Sequence, residues 1–125
     1  MSFFHNKDAD IWLRDGRSAD EALMRTTHLG IGAHQDDLEF MAYEGIAACY
    51  YCDDRWFSGI TVTDGRGSSR TGPFANLSDE EIREIRREEQ RTAAEIGHYS
   101  AQFQLDYPSS LLKGEGRPQV IEDIL

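Results

Sequence analysis

Apolar and polar residues alternate along this chain in blocks that read as helices and strands in turn. Residues 1–17 are polar and irregular, and "SADEALMR" (18–25) reads as a short helix capped by Ser18. "THLGIGA" (27–33) is a short apolar run with a β-branched start, the pattern of a buried strand. In "LEFMAYEGIAACYYC" (38–52), Phe40, Tyr43, Ile46, Ala47 and Tyr50 fall at helical spacing. A second strand, "WFSGITVTD" (56–64), leads into the Gly/Ser-rich loop "GRGSSRTGPFANL". The clearest helix is 79–97, with Ser78 as its N-cap, acids in its first turn and Gly97 as its stop. "SAQFQLDY" (100–107) alternates as a third strand, and "RPQVIEDIL" (117–125) opens another helix with Pro118 near its first turn.

The order strand, helix, strand, helix, strand, helix predicts an α/β fold with a parallel sheet of right-handed βαβ units. Residues 1–26 form a leader with one short helix, and 27–125 form the domain. Three strands make a small sheet with at least one open edge. The last helix has barely begun where the sequence stops, so the domain reads as incomplete at its C-terminus.

Charge narrows the range of partners. Thirteen Lys and Arg stand against 23 Asp and Glu, a net charge of -10. That field repels phosphate backbones and anionic lipid, which argues against nucleic acid and membrane surfaces as partners. It suits a small neutral or cationic substrate, or a bound metal cation. No apolar run approaches the ~18 residues of a membrane span, and the N-terminus carries no secretory signal pattern. The two cysteines, Cys49 and Cys52, close a predicted helix rather than opening one, and no further ligands lie nearby. They read as ordinary thiols of a reducing, cytoplasmic setting.

The chemistry concentrates in "GAHQDDLEF" (32–40). His34, Asp36 and Asp37 fall where the 27–33 strand gives way to a helix, the end at which open parallel sheets bind ligands. A tight turn there can present His34 and Asp37 together as imidazole and carboxylate ligands for Zn²⁺ or another divalent ion. Catalytic zinc normally takes three protein ligands and keeps one position open. Asp36 then stands beside that position as a candidate general base. A structural reading competes, because an Asp at such a junction often only caps the helix. Spacing alone leaves both open.

A second feature lies on the long helix. Ile82, Ala93 and Ile96, with Ile85 beside them, form an apolar stripe, and Arg86 and Glu89 lie on that stripe rather than opposite it. A charged pair facing a core must be paired or serve a site. Glu80, Arg83, Glu84 and Arg87 read as a solvated face.

"GAHQDDLEF" after an apolar strand resembles the signature of the PIG-L/LmbE-like N-acetylglucosaminyl deacetylase family, usually A-H-P-D-D followed by an acidic residue. "VTDGRGS" (62–68) resembles the family's T-x-G segment, and "RREEQRTAAEIG" (86–97) its R-x-x-E…A-A-x-x-L-G helix. The resemblance implies a Rossmann-like fold and a metal-dependent hydrolase, usually a zinc enzyme, that removes an acetyl group from an amino sugar or related amide. By position it makes His34 and Asp37 metal ligands, Asp36 the general base and Arg86 a substrate-binding residue, with Glu39 as the supporting acid. Gln35 stands in place of the family's proline, which predicts a looser turn. Tyr43, Glu44 and Gly45 replace its Gly-Gly-Thr.

The family's third ligand, a histidine, comes from a second half with no counterpart in this sequence. Among the remaining histidines, His28 lies on the same strand about 20 Å from His34. His98 ends a helix roughly 28 Å long that runs away from the strand ends. His5 stands in the leader with no fixed place, and Asp64, at the end of the second strand, is a weak substitute carboxylate. The chain is therefore expected to hold metal weakly, and either to associate with itself or another chain or to belong to a longer protein. A non-catalytic assembly or binding module is the alternative. An anion- or nucleotide-binding domain built on "GRGSS" fares poorly, since no G-x-G-x-x-G follows the first strand.

Overall fold

The computed structural model describes residues 4–65, 75–108 and 117–125. The elements are β1 (Asp10–Leu13), α1 (Ala19–Arg25), β2 (His28–Gly32), α2 (Asp37–Met41), α3 (Tyr43–Cys49), β3 (Phe57–Thr63), α4 (Asp79–Ile96), β4 (Ala101–Tyr107) and α5 (Arg117–Ile124). They form an α/β fold around one sheet of order β1-β4-β3-β2. The expected strands β2, β3 and β4 run parallel, with His28 opposite Phe57 and Ser58 opposite Ala101. The predicted loop "GRGSSRTGPFANL" falls largely outside the described residues.

The sheet has four strands rather than three. The fourth comes from the leader, where "DIWL" pairs antiparallel with β4, Ile11 opposite Phe103. Four residues between polar flanks carry almost no periodicity, and their strand conformation comes from this tertiary pairing. The Arg91 guanidinium on α4 secures it by donating from Nε to Asp10 Oδ2 at 2.9 Å.

Both capped helix starts follow the sequence. Ser18 and Ser78 each accept from the backbone N–H three residues on, at 3.2 and 3.1 Å. Glu21 and Glu81 bond back to the serine N–H groups, completing two capping boxes. At the end of α4, Gly97 keeps right-handed dihedrals and His98 takes the left-handed residue, with φ 58°.

Two predicted apolar stripes are rotated. The 38–52 segment is not one helix but two, kinked at Ala42 (φ -113°, ψ 19°). Leu38, Ile46 and Cys49 face inward, whereas Phe40 is 85 % exposed and Tyr43 is also exposed. Leu38 sets this orientation. A Cβ on Gly59 would lie 2.6 Å from its Cδ1, and one on Gly30 would lie 3.0 Å from its Cδ2. Those glycines let α2 settle directly on the sheet. On α4 the buried line is Ile82, Gln90 and Ala94, with Ile96 at 69 % exposure.

The two faces of the sheet differ in chemistry. Ile60, Val62, Phe103, Leu105 and Tyr107 pack with Phe4, Ala22 of α1 and Val120 of α5 in an apolar core. The other face is apolar at one end, where Phe57 meets Tyr99 edge-on at 4.7 Å between ring centroids. Beneath α4 it is polar, with Thr61, Gln102, Gln104 and Asp106 all buried. The alternation of β4 thus separates an apolar from a polar face, and both are covered. Gln102 Nε2 donates to Thr61 Oγ1 (3.0 Å) and Gln104 Nε2 to Arg87 O (3.0 Å).

Arg83 and Arg87 are not on a solvated face. Both close on the buried carboxylate of Asp106, Arg83 through a two-point contact and Arg87 Nη2 at 2.8 Å. Asp106 occupies a bulge where the β3–β4 register shifts between Thr61 and Thr63, and its φ is 65°. The hydrogen bond to Asp106 holds the Arg83 guanidinium firmly in its charged form, its pKa raised. Removing one partner of a buried ion pair leaves charge uncompensated. Asp106→Ala is expected to cost about 3 kcal/mol of folding stability, read as a lower urea midpoint. An unchanged midpoint would mean that the two arginines do not hold α4 to the sheet.

Burial, then donation to Glu39, pushes the Tyr99 pKa up, and burial, then donation to Asp123, does the same to Tyr107. The fold favours the neutral phenols, so this stability is intact below the unfolded value of about 10. It is lost as pH rises through the raised folded values. Tyrosinate absorbance and circular dichroism are expected to show these two phenols ionising together with alkaline unfolding. Their ionisation in a folded chain near pH 10 would contradict the two contacts.

Candidate functional site

β2 ends at Gly32, and the chain turns through residues 33–36 into α2. The turn is closed by reciprocal bonds between His34 and Asp37. The Asp37 N–H donates to His34 O (3.3 Å), and the His34 N–H donates to Asp37 Oδ2 (2.9 Å). The same bonds bring the two side chains together, with His34 Nδ1 3.7 Å from Asp37 Oδ2. The imidazole is 60 % exposed and the carboxylate 33 %. Bonds from zinc to nitrogen or oxygen are about 2.0–2.2 Å, so one ion can reach both atoms at this separation. A borderline cation suits this imidazole–carboxylate pair.

Asp36 plays a different part from the cap considered above. It is the N-cap residue of α2, yet its side chain makes no cap hydrogen bond and its φ is 72°. The exposed carboxylate is therefore not spent on the helix start. Asp36 borders a shallow hollow along α4 with Ile85, Glu88, Glu89, Thr92 and Ile96. Its backbone N–H reaches inward to Gln90 Oε1 at 3.0 Å. Gln90 Nε2 faces Glu39 Oε1 at 3.5 Å, and the other Glu39 oxygen accepts from the buried Tyr99 hydroxyl.

The turn is tethered, not loosened, at Gln35. Its buried side chain donates from Nε2 to Thr63 O at 3.0 Å and approaches Gln104 Oε1 at 3.5 Å. The amide thereby ties the turn to the end of β3 and the middle of β4, a restraint that a proline ring would supply through its fixed φ.

Asp64 follows β3 on this same end of the sheet and is buried, its N–H bonded to Tyr107 O at 2.9 Å. Arg86 and Glu89 pair within α4, Nη1 donating to both carboxylate oxygens at 2.9 and 3.2 Å. The Arg86 stem lies against Gly65, the residue after Asp64, where a Cβ would come within 2.9 Å of Arg86 Cγ. Arg86 is thus at the strand-end side of the sheet.

The other histidines lie elsewhere. His5 Nε2 pairs with Glu122 Oε2 of α5 at 2.6 Å. His28 Nδ1, at the start of β2, meets Thr27 Oγ1 (2.9 Å) and Cys49 Sγ (3.2 Å). His98, past the end of α4, stacks on Tyr51 with 3.7 Å between ring centroids. Both cysteines are free thiols. Among the described residues no three His, Cys, Asp or Glu side chains gather as a metal-holding group.

Gln35, Gln90 and Tyr99 have no place in a reading based on charged ligands. The available signal was the i, i+8, i+12 spacing of Ile82, Gln90 and Ala94, which puts an amide in the line of an inward face.

An α/β sheet with an imidazole and carboxylates at its strand-end turn places polar groups where open α/β sheets bind ligands. The family model PIG-L, described as GlcNAc-PI de-N-acetylase, matches residues 29–125, and the chain belongs to that family. Comparison with curated proteins and with solved structures gave no significant match. No helix among the described residues is long and apolar enough to cross a membrane.

Gly65 has φ 81°, and a Cβ there would also lie 2.9 Å from Gln35 Oε1. Gly65→Ala is expected to cost about 1–2 kcal/mol through left-handed strain and to displace Arg86 and Gln35 together. Urea unfolding and the Arg86 Nε–H resonance check both effects. A variant of full stability with an unmoved resonance would contradict this close packing.

Proposed function

We propose that this chain carries the strand-end site of a divalent-metal-assisted amide hydrolase. Its substrate is an N-acetylated amino sugar or a related small amide, and zinc is the preferred metal. The observation that carries the reading is the turn at 34–37, which brings His34 Nδ1 and Asp37 Oδ2 within 3.7 Å and leaves the neighbouring Asp36 carboxylate uncapped. Membership of a de-N-acetylase family agrees with it.

His34 and Asp37 would hold the cation. When bound, it supplies electrophilic polarisation of the acetyl carbonyl and favours the ionisation of water. Asp36 takes a proton from the attacking water, whose oxygen bonds to the carbonyl carbon. The C–N bond then breaks, the nitrogen takes up a proton, and acetate and a free amine are the products. Arg86, held by Glu89 beside Gly65, offers a planar donor fork to sugar hydroxyls or a substrate anion. Net charge of -10 favours departure of the acetate anion.

A second reading, a non-catalytic assembly module, is favoured by one surface. Leu29 and Ile31 on β2 are 49 and 45 % exposed, and Phe40, Met41 and Tyr43 are exposed on the neighbouring α2–α3 segment. Apolar patches of this kind commonly mark association.

Zinc uptake and release of free amine from N-acetylglucosamine derivatives, measured on the same samples, separate the roles. Asp36→Ala is expected to keep the metal and lose roughly 10²–10⁴-fold in turnover. Asp37→Ala and His34→Ala are expected to lose the metal. Equal loss of metal in Asp36→Ala and Asp37→Ala would refute the assignment of Asp36 as base. Amine release that never exceeds background in the unaltered chain would favour the assembly reading.

A further inference from the structure

Gln90 poses a physical question. It is fully buried in the middle of α4, on the line that also carries Ile82 and Ala94. A buried amide without partners is strongly unfavourable, so its contacts explain its place. They run in one direction. The Tyr99 hydroxyl donates to one Glu39 oxygen and leaves the other to accept. The Gln90 NH₂ group therefore faces Glu39 (3.5 Å), which turns the amide oxygen toward the Asp36 N–H (3.0 Å). Asp36 is a non-glycine residue in the left-handed region, a conformation that persists only where its surroundings enforce it.

We propose that Gln90 is a positioning residue. Its buried amide, oriented by Glu39 and Tyr99, holds the Asp36 peptide in its left-handed turn and so sets where the Asp36 carboxylate stands. The consequence for hydrolysis rests on the reading of Asp36 as general base; the mechanical link does not. Glu39 thereby acts from behind the turn, through an amide, and not at the substrate. Tyr99 belongs to the same relay, because its ring packs on Phe57 and fixes the hydroxyl under Glu39.

Amide hydrogen exchange on the ¹⁵N-labelled full chain tests the link directly. Gln90→Met keeps the side-chain length and removes both polar atoms. It is expected to raise exchange at the Asp36 amide about tenfold, the worth of one net hydrogen bond, while β3 and β4 amides change less than about twofold. Tyr99→Phe deletes only the hydroxyl, and a smaller rise confined to residues 36–39 is expected. It also keeps the proposal testable if Gln90→Met fails to fold. Unchanged exchange at Asp36, or a rise shared equally by β3 and β4, overturns the proposal.

Amide hydrolysis supplies a separate arm. With zinc uptake unaltered, kcat is expected to fall in both variants while KM stays near the unaltered value. Unaltered kcat despite faster Asp36 exchange overturns the positioning role. An unaltered chain that hydrolyses no amide removes the base assignment and leaves the exchange result to decide the link.

Discussion

The site side of this molecule depends on hydrogen-bond satisfaction beneath α4. Where most helices meet a sheet through aliphatic side chains, this helix lies over threonine, glutamine and aspartate. An unpaired polar group in such a layer is costly, and a paired one fixes direction as well as distance. The pairing is extensive. Gln35 reaches Thr63 O and Gln104, Gln104 reaches Arg87 O, Arg83 and Arg87 close on Asp106, and Gln90 joins Asp36 to Glu39. Two atoms, Gln102 Oε1 and Arg87 Nε, are buried without a partner among the described residues. The strand-end turn, the bulge in β4 and the long helix are thus one connected polar layer.

The apolar face has the opposite logic. Phe103, Leu105, Ile60 and Val62 pack with α1 and α5 through contacts that are large in sum and indifferent to direction. One face supplies cohesion and the other orientation. A turn carrying His34, Asp36 and Asp37 needs the second more than the first, since a site displaced by about 1 Å loses much of its chemistry.

This division also explains what could be read from the residues alone. Helix starts at Ser18 and Ser78, the three parallel strands and the His34–Asp37 turn are local or nearly local, and spacing revealed them. The family motif at 34–37 and the helix at 86–97 pointed to the region that the family model matches. Faces proved harder. Phe40 and Tyr43 satisfy a helical period, but the fit of Leu38 over Gly30 and Gly59 decides which side of the helix is buried. Arg83 and Arg87 look solvated until β4 bulges and turns Asp106 toward them. Gln35 and Gln90 are uncharged, and the spacing that puts Gln90 on an inward face does not say what its amide bonds. Their partners lie 28, 69, 54 and 51 residues away.

The short leader strand has one more consequence. β1 lies outside the family match, which begins at residue 29, yet it covers one side of β4 and binds α4 through Asp10 and Arg91. The matched segment and the mechanical unit therefore have different edges. Trimming the chain to the matched segment would bare the β4 backbone next to the Asp106 bulge and leave Arg91 without Asp10. The matched segment borrows part of its rigidity from residues that precede it.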